Sequence, residues 1–377
     1  MRFRTPLLLL PFCVLAQVSS AQQPAAQPAQ VRSPEVLADR RVTFRLTAPK
    51  ASEVHLTCEC VLGQKPSALQ KDDKGVWSVT IGPFATDIYE YEFWVDGVQM
   101  IDPRNEVVKH NNRPGMISSL LTVPGTGPTF YDARPVPHGA VDIRWYQSKV
   151  TNTARRAYIY TPANYDRSSS RLPVLYLLHG ADGDETAWTA FGKANHILDN
   201  LIAEKRAAPM VVVMPFGYAY SWDTNVAAEK QQADFQRDLL EELIPYVQAN
   251  YRVHTDRDHR ALAGLSRGGG QTLTIGLRHL DLFSRLGVFS SSGNPDAFKD
   301  VAADAKKVNE RVKLFWMGIG TGDPGFQNAK RFSDFLDAAG ITHTFFTIPN
   351  GEHTWIMWRR FLQETAPKLW PTPSSTN

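Results

Sequence analysis

Residues 260–277 read Arg260-Ala261-Leu262-Ala263-Gly264-Leu265-Ser266-Arg267-Gly268-Gly269-Gly270-Gln271-Thr272-Leu273-Thr274-Ile275-Gly276-Leu277: a short apolar run, a glycine-flanked turn, and a stretch compatible with a helix. The turn, Gly264 to Gly268, matches the pattern G-x-S-x-G in the strand-turn-helix setting that a nucleophile elbow needs. A serine on so tight a turn takes unfavourable backbone angles, and flanking glycines let strand and helix approach without side-chain clash. With 21 Ser and 25 Gly in 377 residues, 21 × (25/377)², or about 0.09 such matches, is the chance expectation. A flexible glycine loop without activity is the competing reading.

On either side of this turn, strand-like and helix-like segments alternate. Pro173 to His179 is a near-continuous apolar run, as expected of a strand buried on both faces of a parallel sheet, and Met210 to Met214 repeats it. Arg260–Ala263, Leu286–Ser290, Leu314–Ile319 and Thr344–Ile348 are further candidates. Apolar spacing of three and four predicts helices over Ala194–Arg206, Asp234–Tyr251, Gly270–His279, Ala329–Ala339 and Thr354–Thr365, with a kink or an early first turn at Pro245. About 200 residues of alternation predict a doubly wound, mostly parallel α/β sheet whose ligands bind at the carboxyl ends of the strands.

A serine hydroxyl needs a base. His353, in Pro349-Asn350-Gly351-Glu352-His353-Thr354-Trp355, follows the last predicted strand and opens the final helix, at the edge of the sheet where Ser266 lies. His254, His259 and His279 sit in or beside elements flanking the elbow, and His55 and His110 belong to an earlier unit. The base needs an acid to fix its tautomer, and Asp323 in Gly320-Thr321-Gly322-Asp323-Pro324-Gly325 again occupies a loop at a carboxyl end. Glu352 would have to fold back on its own backbone, and Asp337 falls within a helix. The resulting order Ser266, Asp323, His353 is that of α/β hydrolases. Oxyanion donors are expected from the backbone of Arg267 and of Ala181, in His179-Gly180-Ala181-Asp182-Gly183, with His179 supporting that loop. Trp188, Tyr218, Trp222 and Trp355 are candidates for substrate binding through their aromatic faces.

The segments LPVLYLLHGADGDETAW, VVVMPFG, ELIPYVQANYRV, LAGLSRGGG, GTGD and GEHTWIMWR together resemble carbohydrate esterase family 1, which is similar to the esterase D and enterochelin esterase group. The resemblance spans about residues 137–370 and implies an α/β hydrolase with its Ser, Asp and His at the three positions above. The residue after the nucleophile is commonly Met in that family and is Arg267 here, which keeps the backbone donor and alters the pocket. The implied substrate is a feruloyl or acetyl ester of a plant polysaccharide such as xylan. A siderophore esterase is the alternative within the same mechanism, and a glycan-binding protein with a decayed hydrolase domain is the alternative outside it.

Upstream, residues 35–124 carry short alternating runs, Val42–Leu46, Glu53–Thr57, Val76–Ile81, Tyr89–Val95 and Ser118–Val123, separated by turn residues, which predict a small all-β sandwich. RVTFRLTAPKASEVHL, GVWSVTIGPF, YEYEFWVDG and DPRN resemble the branching-enzyme type of carbohydrate-binding module, an immunoglobulin-like unit that either binds glycan or packs on its enzyme. Residues 125–136 read as a linker and 137–377 as the hydrolase. Cys58 and Cys60, two apart in a predicted strand, make a poor disulfide and read as two half-buried cysteines.

Arg2 and Arg4 before Leu7–Leu10, then Ser19-Ser20-Ala21, read as a secretory signal over residues 1–21, and the Pro, Ala and Gln of residues 22–34 as a flexible leader. A secreted or periplasmic protein without a membrane anchor is expected. Removing the signal takes the net charge from +3 to +3 − 2 = +1. With no long basic run, nothing predicts a nucleic-acid partner. No cofactor and no metal constellation is expected, and the oligomeric state stays open.

Overall fold

The computed structural model describes residues 31–61, 63, 65–110, 117–221 and 225–371. The expected signal segment and most of the expected leader lie outside them, as does Trp222.

The first unit is a two-sheet β-sandwich. Its strands are β1 (Glu35–Val36), β2 (Val42–Thr47), β3 (Val54–Cys58), β4 (Ser67–Ala68), β5 (Gln70–Lys71), β6 (Val76–Ile81), β7 (Asp87–Val95), β8 (Val98–Met100), β9 (Val108–His110) and β10 (Ile117–Val123). One sheet has the order β1-β2-β6-β5 and the other β4-β3-β7-β10-β9, with β8 paired to β7. Val42, Phe44 and Leu46 of β2 face Tyr89, Tyr91 and Phe93 of β7 across the core, the period of two that their sequences show. The opposite face of β7 presents Glu90, Glu92 and Trp94, and that face fronts the second unit.

One expectation fails here. Cys58 and Cys60 form a disulfide, with Cα atoms 5.1 Å apart. Strand β3 ends at Cys58, and the chain makes one tight helical turn over Glu59–Val61, so the two side chains are not successive neighbours on an extended strand.

The second unit is a single eight-stranded sheet in the order β11-β12-β14-β13-β15-β16-β17-β18. These strands are β11 (Ala140–Ser148), β12 (Thr153–Thr161), β13 (Val174–Leu178), β14 (Val211–Pro215), β15 (Arg260–Leu265), β16 (Arg285–Phe289), β17 (Leu314–Gly320) and β18 (Thr344–Ile348). The helices are α1 (Ala187–Ala190), α2 (Ala194–Ala203), α3 (Ala228–Arg237), α4 (Ile244–Asn250), α5 (Arg267–Gly276), α6 (Lys299–Ala303), α7 (Ala305–Arg311), α8 (Phe326–Ala338) and α9 (Trp355–Leu369). From β14 onward the strands are parallel, and alternate residues enter opposite cores: Val174, Tyr176 and Leu178 pack with α3, α5 and α8, whereas Leu175 and Leu177 pack with α1, α2 and α9. This two-sided burial explains why these strands read as continuous apolar runs.

Strands β11 and β12, absent from the sequence expectation, are antiparallel to each other and to β14. Strand β11 is the half-exposed edge and β12, its inner neighbour, carries Arg155 and Arg156, so neither shows the apolar run that marks the central strands. The predicted helix Asp234–Tyr251 is longer than expected: α3, a wide π turn over Asp238–Leu243 and α4 run on without a break from Ala228. Pro245 has no N–H to give, and the widened turn directly precedes it.

The two units share a core. Ile88 and Leu120 of the sandwich pack in the same cluster as Trp188, Phe191 and Phe361. Arg359 of α9, fully buried, pairs with Asp87 of β7 and donates to the carbonyls of Phe191 and Ile88. The connecting segment is fastened as well: Asn200 donates to the carbonyls of Phe130 and Asp132.

Candidate active site

Strand β15 ends at Leu265 and α5 begins at Arg267, leaving Ser266 between them at φ 50 and ψ −117. A non-glycine residue there carries about 1–3 kcal/mol of backbone strain. The crossing needs bare backbone on both sides. A Cβ on Gly264 would lie 2.5 Å from the carbonyl carbon of Gly268, and one on Gly268 would lie 2.5 Å from the carbonyl oxygen of His179. The Ser266 N–H is tied down by the Phe289 carbonyl at 2.8 Å.

Three loops at the carboxyl ends of β15, β17 and β18 bring Ser266, Asp323 and His353 together. His353 Nε2 is 3.0 Å from Ser266 Oγ, and its Nδ1 is 2.8 Å from Asp323 Oδ2. The other oxygen, Asp323 Oδ1, accepts from the Gly325 N–H at 2.8 Å. Burial acts to raise the Asp323 pKa, but the His353 ring and the Gly325 N–H outweigh it and hold the carboxyl below its ordinary value. The ionised acid accepts from Nδ1–H, which leaves the Nε2 lone pair facing the serine hydroxyl. Trp358 packs against the His353 ring with centroids 5.1 Å apart and the planes nearly perpendicular.

The loop after β13 curves over Ser266. His179, at the end of that strand, is buried; its Nε2 accepts from the Gly217 N–H at 2.8 Å, and its Nδ1 lies 2.7 Å from the Gly180 carbonyl. This is the neutral Nδ1–H form. Burial lowers its pKa to about 4, so the ring remains a fixed strut and not a base. The Tyr218 hydroxyl donates to the Ala181 carbonyl at 2.7 Å. Sequence reasoning missed Arg155 of β12, which donates to the carbonyls of Phe216, Tyr218 and Ala219 and pairs with buried Asp238. A charged residue at an inward position of an alternating strand is the signal that could have found it.

A cleft of about 540 Å³ leads away from Ser266 and His353. Ala181 and Trp355 line it, as does Trp358, which the sequence reading passed over. Trp188 does not: its ring is buried, its Nε1 donates to the Leu178 carbonyl at 3.0 Å, and Trp355 covers one edge. Trp188 is therefore core, because the loop that carries it folds inward as α1. Tyr218 is buried too, with its hydroxyl engaged and its ring covered by Arg267.

The far wall of the cleft belongs to the sandwich. Thr57, Glu59, Glu90, Glu92, Gln99 and Lys109 line it, along with Cys58 of the disulfide. Lys109 Nζ lies 2.6 Å from Glu90 Oε1. Glu59 accepts from the Glu90 N–H at 3.1 Å. Burial and then the neighbouring Glu90 charge push the Glu59 pKa up to about 7. The wall thus offers several carboxylates, one amide, the paired ammonium of Lys109 and that of Lys65, a set that suits hydroxyl groups.

Two clusters among the described residues could hold a metal ion, His138 with His196 and Asp199, and His254 with Asp256 and His259. Neither lines the cleft. Among the described residues, no helix is long and apolar enough to cross a membrane.

Comparison with known proteins gives these features a family. The model of the Esterase family ("Putative esterase") matches residues 148–369. An endo-1,4-beta-xylanase/feruloyl esterase of Xylanibacter ruminicola is 31% identical over 353 residues, covering 92% of this chain and 47% of that protein. The chain thus spans about half the length of that curated relative. A ferulic acid esterase from Anaeromyces mucronatus, solved with ferulic acid, is 26% identical with a TM-score of 0.54 and covers 66% of this chain and all of its own. An enterochelin esterase from Shigella flexneri shares the fold over 90% of this chain and 95% of its own, with a TM-score of 0.66 at 19% identity. The chain belongs to the Esterase family.

Proposed function

We propose that the protein is a secreted or periplasmic serine esterase that removes feruloyl or acetyl groups from plant polysaccharide through an acyl-enzyme. The observation that carries the mechanism is the continuous chain from Asp323 through His353 to Ser266, at 2.8 and 3.0 Å, ending on a serine held at φ 50. Ser266 Oγ attacks the ester carbonyl carbon while His353 Nε2 takes its proton. The carbonyl oxygen, now negative, is met by the backbone N–H groups of Arg267 and Ala181, aided by the N-terminus of α5. Collapse breaks the bond to the alcohol, which leaves with the proton returned by His353. Water then repeats the sequence on the acyl-serine, releases the acid and restores Ser266.

The substrate class rests on the named relatives and on the cleft. The alcohol departs beside His353, where the cleft begins, so a saccharide leaving group meets Trp355, Trp358 and then the polar wall of the sandwich. A catecholate triester of siderophore type is the second reading. The enterochelin esterase likeness extends over both units, which favours it.

A panel of methyl ferulate, feruloylated and acetylated xylan oligosaccharide and a catecholate trilactone, assayed with wild type and Ser266→Ala, tests both. Feruloyl or acetyl release by the wild type and loss of at least about 10³-fold in the variant are expected. Activity that survives Ser266→Ala would sink the mechanism, and a strong preference for the trilactone would select the second reading.

A further inference from the structure

Resting on the ester-hydrolase reading above, we propose that the Arg267 side chain selects acyl groups that carry an anionic oxygen. Arg267 follows the nucleophile directly, and its Cζ lies 4.0 Å above the Tyr218 ring. The ring offers a π face but no charge. Nε and Nη2 of Arg267 are buried and have no hydrogen-bond partner among the described residues. Arg267 as a whole is half-buried, and two buried arginines contrast with it: Arg155 is matched by Asp238 and three carbonyls, and Arg359 by Asp87 and two carbonyls. Burial lowers the Arg267 pKa, and only the Tyr218 phenol beside it acts in the other direction.

A guanidinium carries five N–H donors and no acceptor, and withdrawing its nitrogens from water without a counter-charge is costly. An unmatched cation beside a nucleophile is half of an ion pair. Its position decides which half of the ester completes it. The alcohol leaves on the His353 side, into the cleft, and neither Arg267 nor Tyr218 lines that cleft. Tyr218 holds the Ala181 carbonyl, so the guanidinium stands against the oxyanion loop but outside the cleft the alcohol takes, which leaves it to the acyl half. Lys109, a cation of the cleft, is already paired with Glu90, and Lys65, the other lysine that lines it, belongs to the sandwich wall on the alcohol's side. The acyl groups favoured are those whose chain ends in a carboxylate or an ionised phenol.

The test uses the full chain and two esters of equal acyl length, mono-4-nitrophenyl adipate, which ends in a carboxylate, and 4-nitrophenyl hexanoate, which does not. The readout is the ratio of their kcat/KM values, corrected for spontaneous hydrolysis. In wild type this ratio is expected to exceed that of Arg267→Met by about tenfold or more, the worth of one charge-assisted hydrogen bond. Arg267→Lys should restore part of it, and added salt should lower it in the wild type. A ratio unchanged by Arg267→Met overturns the proposal. So does a wild-type preference for the hexanoate at every salt concentration, a result that requires no variant to fold. If the wild type cleaves neither ester nor any substrate of the panel above, the hydrolase reading falls and takes this one with it. Cleavage of both at a ratio that ignores Arg267 and salt removes this proposal alone.

Discussion

Asp323 keeps its charge in a place where burial alone would remove it, because the His353 ring and the Gly325 N–H both favour the anion. Asp323→Asn presents an amide that can donate to Nδ1, fixing the wrong tautomer and leaving no lone pair for Ser266. A fall in kcat of about 10⁴-fold with little change in KM is expected in steady-state assays. A loss below tenfold would show that another acid orients His353. Glu59 is the opposite case, a carboxyl whose pKa is raised from 4.5 to about 7. Its folded form binds the proton more tightly than its unfolded form, so its contribution is full below pH 4.5 and is lost as pH rises towards 7. Glu59→Gln keeps an oxygen for the Glu90 N–H and should melt like wild type near pH 4.5 but a few degrees higher at pH 8. Equal shifts at both pH values would contradict this. Ser266, Asp323 and His353 were legible because motif and strand ends are local signals. Glu59, Arg155 and Trp358 were not, since each acquires its role from a partner far away in the chain.

Among the elements, α9 joins the two units, and its Arg359 is the polar centre of that joint. Arg359 is buried, paired with Asp87 and set between the rings of Tyr131 and Phe191, 4.9 and 5.2 Å from its Cζ. Arg359→Met leaves the Asp87 carboxylate buried without its partner, and a loss of about 3–5 kcal/mol is expected in urea denaturation. Adding Asp87→Asn to that variant should recover part of the loss, because it removes the stranded charge. Additive losses would place the cost in packing instead. The same helix was visible in sequence as Thr354–Thr365, since its apolar stripe is regular; its last turn, through Leu369, was hidden by Pro367. Central strands were legible through two-sided burial. Strands β11 and β12 were not, because the edge strand β11 is half-exposed and its inner neighbour β12 carries Arg155 and Arg156. The disulfide was missed for a related reason: a strand reading of Cys58–Cys60 hides the turn that brings the sulfurs together.

At the scale of the whole molecule, the two-unit division was readable from composition, but the placement of the cleft between the units was not, because no local pattern encodes which sheet face meets which loop. That placement gives the sandwich a task. Its residues Glu92 and Gln99 face the same space as Ser266 and His353. A small acyl ester ends near the catalytic residues, whereas a saccharide leaving group is long enough to reach the opposite wall. Gln99→Ala should therefore raise KM for feruloylated xylan oligosaccharide about fivefold, the worth of one hydrogen bond, while kcat/KM for 4-nitrophenyl acetate changes less than about twofold. Glu92→Gln should act in the same direction but more weakly, because the amide keeps one acceptor oxygen for a sugar hydroxyl. If both substrates lose activity equally, the sandwich acts by supporting the hydrolase; if neither does, the leaving group takes another path from His353.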